Sequence, residues 1–287
     1  MPQLAVAQLR PVPHDVAGNR ARTLAAIERA ATQGAELLVL PELATTGYAF
    51  VSREALVAEA EPLDGPSVSA WSEAAARHGL ALVAGLAERA GAGCYNTAVA
   101  IGPSGVAGVY RKAHLFAEER ALFRPGDTGA VVVDLLGVRV GLAICFDLRF
   151  VELPRALALL GAEVLAVPTT WTDLHKPQPY DARGWCMANV LAQAHAYVNR
   201  VYVACADRVG GEAGVRYLGA SVIFDPSGAP LAGPASPDRE ELLVAPFEPA
   251  RARDKALGAL NDLFADRRPE LYGALLDAPR PAGETAR

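Results

Sequence analysis

Residues 130–150, AVVVDLLGVRVGLAICFDLRF, contain two apolar runs of strand length followed by a short polar turn. The runs cover 130–135 and 138–145 and are separated by a Leu-Gly pair, which predicts a β-hairpin. The second run ends at Cys145, and the chain turns polar directly afterwards. A cysteine of a protein core normally lies inside an apolar run, so this one is either a packed sulfur or a nucleophile.

Apolar and β-branched runs alternate with alanine-rich segments of helical period along most of the chain. The predicted strands are 4–9, 36–43, 80–88, 96–103, 106–112, 130–135, 138–145, 163–169, 201–207, 218–226 and 241–247. The predicted helices are 17–33, 65–78, 152–160, 184–199 and a shorter one near 250–264. This inventory is too rich in strands for a doubly wound sheet. It predicts an α/β protein with two mixed sheets packed face to face, helices outside them, and no internal repeat.

Composition excludes several classes of protein. The chain has 287 residues and a formal net charge of −5 without blocks of like charge, which argues against a nucleic-acid partner. No apolar stretch reaches the ~20 residues of a membrane span, and the N-terminus does not resemble a secretory signal. The cysteines form no CxxC pair, so we expect neither a bound metal nor a disulfide framework, and a cytoplasmic location.

Three chemically different side chains follow or end predicted strands, namely Glu42, Lys112 and Cys145. Ligands gather outside the carboxyl ends of strands in layered α/β proteins, so these groups are candidates for a common cleft. There, Cys145 would attack a carbonyl carbon and Glu42 would take its proton. Lys112, with the backbone N–H of Phe146, would stabilise the developing oxyanion.

Each of these residues taken singly also fits a structural role. The cysteine could pack in the core, the glutamate could form a surface ion pair, and the lysine could be a solvated cation. A Cys–His dyad is a further alternative, with His114, His175 and His195 as candidates. No sequence pattern supports any of the three histidines, and we expect them to have structural or solvent-facing roles.

Three motifs change this balance when they are taken together. PELATTGY (41–48), YRKAHLF (110–116) and CFDLRFVE (145–152) occur in that order and resemble the signature segments of the nitrilase superfamily, the carbon–nitrogen hydrolases. The segments LVAGLAE, YNTAVAIGPSG, FRPGD and VPTTW between or after them are similar to that family's framework. The resemblance extends from about residue 3 to about residue 247.

The resemblance implies a four-layer α-β-β-α sandwich and a Glu-Lys-Cys triad of Glu42, Lys112 and Cys145. It also implies a second glutamate six residues before a Pro-Gly pair, which is Glu119 here, with Glu118 as the neighbouring alternative. No cofactor is implied. We expect the hydrolase domain at 1–265 with a C-terminal extension at 266–287, and the resemblance implies a homodimer or higher homo-oligomer in which that extension could contact a partner subunit.

The residues after the nucleophile bear on the branch of the family. Asp147 stands where nitrile-cleaving members tend to carry glutamate, and Leu148 stands where N-carbamoyl-D-amino acid hydrolases tend to carry an arginine. The pattern is most similar to the omega-amidases and aliphatic amidases, which implies hydrolysis of a small carboxamide substrate. The alternatives are a nitrilase, a hydrolase of ureido (N-carbamoyl) compounds, and a non-catalytic binding protein of the same fold.

Aromatic residues near the triad are candidates for the substrate pocket. Tyr48, Phe116, Phe146 and Trp171 lie within or beside the motifs and would make a narrow apolar slot that favours small unbranched acyl groups. Ordinary core packing is the alternative for these rings. Asp147 and Arg149 are expected to support the turn that carries the nucleophile rather than to contact substrate.

Overall fold

The computed structural model describes residues 1–173 and 180–277. They divide into a large compact unit, Met1–Arg253, and a C-terminal unit that begins at Asp254. The large unit contains both sheets and every element of the candidate site. Within the described ranges, no helix is long and apolar enough to span a bilayer.

Strands and helices are numbered here in chain order. The strands are β1 (Gln3–Gln8), β2 (Leu37–Val39), β3 (Ala81–Ala90), β4 (Gly93–Gly102), β5 (Gly105–Arg111), β6 (Val131–Leu135), β7 (Val138–Leu142), β8 (Val164–Pro168), β9 (Tyr202–Ala206), β10 (Gly211–Glu212), β11 (Val215–Arg216), β12 (Val222–Phe224), β13 (Pro230–Ala232) and β14 (Glu241–Pro246). The helices are α1 (Val16–Thr32), α2 (Arg53–Glu59), α3 (Pro66–His78), α4 (Glu119–Leu122), α5 (Glu152–Leu159), α6 (Met187–Asn199), α7 (Pro249–Arg253) and α8 (Ala274–Asp277). Short 3-10 helices cover Cys145–Arg149 and Pro269–Leu271.

The strands form two six-stranded mixed sheets and one small hairpin. The first sheet has the order β14-β1-β2-β3-β4-β5, and the second has the order β6-β7-β8-β9-β12-β13. The predicted hairpin is present, since β6 pairs with β7 in antiparallel register, and β4 and β5 form a second antiparallel pair. The strands β10 and β11 form the separate hairpin.

The two large sheets repeat the same pairing pattern. Read in the orders just given, each shows one antiparallel pair, two parallel pairs and two antiparallel pairs. The sequence repeats with it, because GAELLVLPEL (34–43) leads through β2 and GAEVLAVPTT (161–170) leads through β8, which holds the matching place. The prediction of no internal repeat missed this similarity, because a stretch of ten residues is too short to stand out in the sequence alone.

Alternate residues of the central strands face opposite layers. Val39 and Val83 belong to the core between the two sheets, together with Val140 and Val164 of the second sheet. The next residues along the first sheet face the other way, onto Ile27 of α1 and Trp71 of α3. On the outer face of the second sheet, α5 packs on β7 and α6 packs on β9. The layers are thus helix, sheet, sheet, helix, and the predicted fold class is confirmed.

The C-terminal unit has little regular structure in its described part. The prediction of a helix near 250–264 is wrong for its larger part, because α7 ends at Arg253 and residues 254–264 are not helical. Gly258 has φ +152°, which lies outside the helical region, and the Asp262 carboxylate accepts the N–H groups of Phe264 and Ala265 at 2.8 Å each, as at the start of a turn rather than inside a helix. The predicted division at residue 265, with the extension 266–287, stays a prediction.

Candidate active site

Cys145 lies at a sharp turn that its neighbours hold in place. The preceding strand β7 ends at Leu142, earlier than the predicted strand, and Cys145 opens a 3-10 turn with φ +45°. A non-glycine residue in this region is strained, and such strain persists only where the surroundings enforce it. Here the buried Asp147 carboxylate accepts the N–H of Ile144 at 2.9 Å and the Tyr110 hydroxyl at 2.9 Å. The turn presents the sulfur at the end of the sheet.

Glu42 reaches the same place from the first sheet. It lies three residues beyond the end of β2 and is fully buried. Its Oε1 accepts the Asn96 side-chain amide at 2.7 Å and the Lys112 ammonium at 2.7 Å. Its Oε2 is buried and has no hydrogen-bond partner among the described residues. That oxygen is therefore available to take a proton from an incoming group.

Lys112 directly follows β5 and joins two carboxylates. Its Nζ lies 2.7 Å from Glu42 Oε1 and 2.7 Å from Glu119 Oε1, and the ammonium is fully buried. The same Glu119 oxygen accepts the Tyr48 hydroxyl at 2.7 Å, and Glu119 Oε2 accepts the Phe116 N–H at 3.0 Å. Of the two candidate glutamates, Glu119 is the one that faces Lys112, while Glu118 has an exposed side chain.

The surroundings set the charge states of these groups. Desolvation raises the pKa of the Cys145 thiol well above its ordinary value, the charge of Glu42 raises it further, and that of Lys112 lowers it. Burial alone would lower the pKa of the Lys112 ammonium, but the charges of Glu119 and Glu42 outweigh burial and raise it. The resting site therefore holds a neutral thiol beside a charged ammonium, so that nucleophilic attack needs a base.

A narrow cavity opens at Cys145. It measures about 70 Å³ and has mainly apolar walls. Its lining residues are Phe116, Cys145, Phe146, Leu148, Arg149, Thr170, Trp171, Thr172, Ala188 and Leu191.

Three of the four predicted pocket residues line this cavity, and Tyr48 is not among them. The Phe116 and Phe146 rings lie 5.1 Å apart between centroids, and the backbone N–H of Trp171 donates to the buried Asp207 carboxylate at 2.9 Å. The Tyr48 hydroxyl donates to Glu119 Oε1 at 2.7 Å, and a substrate-binding role for Tyr48 stays a prediction. Arg149, expected to support the nucleophile's turn, instead lines the cavity and is exposed.

The histidine alternative finds no support among the described residues. His114 Nδ1 lies 2.8 Å from Asp147 Oδ1, and its ring stacks on Phe150 with centroids 3.6 Å apart. His195 is buried with Nε2 2.7 Å from the Leu148 carbonyl oxygen. The Cys145 thiol contacts a backbone carbonyl, that of Thr170, at 3.7 Å. His175 lies outside the described residues.

Sequence reasoning missed several residues of the site. Thr170 and Thr172 follow β8, so their place beyond a strand end was a usable signal. Ala188 and Leu191 belong to α6, and no local pattern distinguishes a helix face that lines a cavity from one that packs on a sheet. Glu212, in the hairpin β10–β11, approaches the loop that carries Tyr48 and was likewise missed.

Comparison with known proteins identifies the class. The family model described as carbon–nitrogen hydrolase matches residues 3–256, and the chain belongs to this family. The predicted superfamily is thereby confirmed, and the protein is a hydrolase that acts on C–N bonds.

Relatives with differently named activities cover most of the chain. A nitrilase of Pyrococcus abyssi is 39% identical over 95% of this chain and 99% of its own length. An (R)-stereoselective amidase of a Pseudomonas species is 38% identical over 76% of this chain and 75% of its own length. A solved structure of an amidase variant from Nesterenkonia sp. AN1 in complex with butyramide has a TM-score of 0.76 and 30% identity, and the match covers 95% of this chain and 96% of that one.

Proposed function

We propose that this enzyme hydrolyses small linear carboxamides to a carboxylic acid and ammonia through a thioester on Cys145. The observation that carries the proposal is the buried contact of the Lys112 ammonium with the Glu42 and Glu119 carboxylates beside the cavity that Cys145 lines. A base, an oxyanion partner and a nucleophile are the groups that acyl transfer needs.

In the first half of the reaction the thiol becomes a thioester. Glu42 Oε2 takes the thiol proton as the sulfur attacks the amide carbon, because the thiol is neutral at rest. The carbonyl oxygen gains negative charge, which the Lys112 ammonium and the Phe146 N–H stabilise. The N–H groups of a first helical turn have no acceptor within the helix, so that of Phe146 is free to donate. The tetrahedral adduct collapses, Glu42 returns its proton to the nitrogen, and ammonia leaves.

In the second half water releases the acid. Glu42, again ionised, takes a proton from a water molecule that attacks the thioester carbon. The same oxyanion partners stabilise the second adduct. Collapse breaks the carbon–sulfur bond, the proton passes from Glu42 to the sulfur, and the carboxylic acid departs. Glu119 holds Lys112 in place throughout and moves no proton.

The cavity limits the acyl group. A space of about 70 Å³ between the rings of Phe116, Phe146 and Trp171 accommodates short apolar chains and excludes bulky ones. The butyramide complex of the structural relative and the amidase among the sequence relatives support an amide substrate. Nitrile hydrolysis is the second candidate, since the Pyrococcus abyssi relative is named a nitrilase.

The test is product release from a panel of short amides, nitriles and ureido acids. We expect ammonia from the amides, with Cys145→Ala reducing kcat by at least about three orders of magnitude. Cys94→Ala is the matched control, because Cys94 is a buried free thiol in a separate hydrophobic cluster. Turnover of nitriles without turnover of amides would favour the second candidate. Turnover by Cys145→Ala, or none by the wild type with any compound, would contradict the mechanism.

We also propose that the enzyme is a homodimer. The exposed fractions of Leu160 and Tyr197 are 51% and 62%. Leu160 directly follows the outer helix α5, and Tyr197 lies on the outer helix α6, which contacts α5. Light scattering should give twice the chain mass, and Tyr197→Glu should shift it toward the monomer. Val106→Glu, at an exposed position of β5, should not. A monomeric wild type would contradict the proposal.

A further inference from the structure

The hairpin β10–β11 carries a carboxylate that reaches the loop after Glu42. Glu212 Oε2 accepts the backbone N–H groups of Tyr48 at 2.8 Å and Ala49 at 2.8 Å. The side chain is 3% exposed. A buried carboxylate that accepts two consecutive backbone N–H groups fixes the path of that backbone.

Arg208 holds this carboxylate from the other side. Its guanidinium pairs with Glu212 Oε1 and is fully buried. It also lies 4.6 Å from the centroid of the Tyr217 ring, which meets the Tyr48 ring edge-on at 6.3 Å between centroids. The ring and the backbone of Tyr48 are therefore both held by the segment from Arg208 to Tyr217.

The position of Tyr48 matters because of where its hydroxyl goes. It donates to Glu119 Oε1 at 2.7 Å, the same oxygen that lies 2.7 Å from Lys112 Nζ. A continuous series of contacts thus runs from Glu212 to the Tyr48 backbone, then through the Tyr48 hydroxyl to Glu119 and Lys112.

We infer that Glu212 is a positioning residue for the hydrolysis, and that it acts through the Tyr48 hydroxyl on the Glu119–Lys112 pair. The inference rests on the proposed function of the site. A positioning role predicts that the pH dependence of kcat/KM changes in the variant. A purely structural role would only reduce the amount of active enzyme and leave that pH dependence unchanged.

The groups facing Glu119 give the direction of that change. They are Lys112, Glu42 and Tyr48, with the Cys145 thiol close by. Burial raises the pKa of Glu119, the charge of Lys112 lowers it, Glu42 raises it, and the hydrogen bond from Tyr48 lowers it. Loss of the Tyr48 hydrogen bond should therefore raise the pKa further, so that Glu119 becomes protonated at a higher pH.

The experiment is a double-mutant cycle of Glu212→Gln and Tyr48→Phe, with kcat/KM measured against pH. The side-chain amide that Glu212→Gln introduces cannot keep all the contacts of the carboxylate. Its single oxygen can accept either the two backbone N–H groups or the Arg208 guanidinium, but not both. We expect each single variant to lose about tenfold in kcat/KM. We also expect the acidic limb of its kcat/KM–pH profile to move to higher pH. The double variant should lose no more than the worse single variant, since both act on one contact.

Glu61→Gln is the matched control. Glu61 is also a largely buried carboxylate that accepts a backbone N–H, that of Ser67 at 2.7 Å, and pairs with an arginine, Arg20, at 3.3 Å. It should lower the melting temperature without moving the acidic limb. Multiplicative losses in the double variant, or an unmoved limb in Glu212→Gln, would overturn the inference.

Two precautions separate the possible failures. Glu212→Gln leaves the buried Arg208 guanidinium without its counter-charge. If that variant does not fold, Glu212→Asp is measured in its place, with the same expected shift of the pH profile. If the wild type does not hydrolyse amides, the proposed function fails, and the cycle is measured on the nitrile or ureido compound that it does hydrolyse. An additive cycle on an active wild type contradicts the positioning role alone.

Discussion

Lys112 holds two carboxylates at equal distance, 2.7 Å each, in a place closed to water. Removal of the ammonium would leave Glu42 and Glu119 as buried like charges without a counter-ion, which is costly. The lysine therefore stabilises the two carboxylates in addition to its proposed role in stabilising the substrate oxyanion. Both roles depend on a compact point charge on a flexible side chain.

Lys112→Arg should therefore fail although it keeps the charge. A planar guanidinium cannot bring one nitrogen within 2.7 Å of both carboxylate oxygens and still face the substrate. We expect a loss of at least about a hundredfold in kcat, read from ammonia release. Lys255→Arg, outside the large unit, should keep full activity. Retention of more than about a tenth of the rate by Lys112→Arg would contradict the oxyanion role.

We expect Glu119 to set the acidic limit of activity. It accepts hydrogen bonds from three donors, so it works as a carboxylate, and burial raises its pKa above the ordinary value of 4.5. As pH falls through that raised pKa, Glu119 binds a proton and Lys112 loses a partner. The kcat/KM profile should therefore begin its acidic fall above pH 4.5. Glu118→Gln, at the exposed neighbouring position, should leave the limb unchanged, and a wild-type limb below 4.5 would contradict this assignment.

Among the elements, strand β3 shows how backbone packing places a side chain. A Cβ on Gly85 would lie 2.5 Å from Glu42 Cα and 2.5 Å from the Pro41 carbonyl oxygen, distances that real atoms do not adopt. A glycine inside a strand often marks such a close approach of another backbone. The bare backbone of Gly85 therefore lets the segment after β2 turn across β3 and carry Glu42 to the site.

Gly85→Ala should displace Glu42 from Lys112. Because the clash is with the backbone of residues 41–43, which cannot move aside as a flexible side chain can, we expect a loss of about 2 kcal/mol or more in the free energy of unfolding, and a loss of most activity. Urea denaturation and ammonia release measure the two effects. Gly102→Ala is the matched control in β4, where the new Cβ would meet only a Leu135 methyl at 3.7 Å. Equal effects of the two substitutions would argue against this role of Gly85.

Strand ends were the most informative elements in the sequence. They pointed to Glu42, Lys112 and Cys145 because an apolar run followed by a polar residue is a local signal. The bounds were less accurate at β7, where the Asp147 carboxylate captures the Ile144 N–H and the strand stops early. The partner of the Tyr48 hydroxyl was not predictable from local sequence, because it depends on how a loop of the first sheet meets a helix 71 residues away.

Across the whole molecule, the site lies where the two sheets meet. Glu42 and Lys112 follow strands of the first sheet, Cys145 follows a strand of the second, and the Glu42 N–H donates to the Thr169 carbonyl oxygen at 3.4 Å. In the repeated decapeptides, Glu42 corresponds to Thr169. The layered fold was predictable from strand and helix counts, whereas this correspondence became visible only through the matching pairing of β2 and β8.

The position of β14 affects how the protein is made. The first sheet contains β1, which leaves the ribosome well before β14, and β1 pairs along its length with β14, from Gln3 with Pro246 to Gln8 with Glu241. Until that last strand emerges, the nascent chain carries an apolar strand with an open edge, which invites pairing with other chains. A chain that stops after Glu240 should therefore aggregate on expression while the full chain remains in the supernatant of a centrifuged lysate. The chain should thus be exposed to misassembly while residues 9–240 are synthesised, and a chaperone that covers the free edge of β1 should raise the yield.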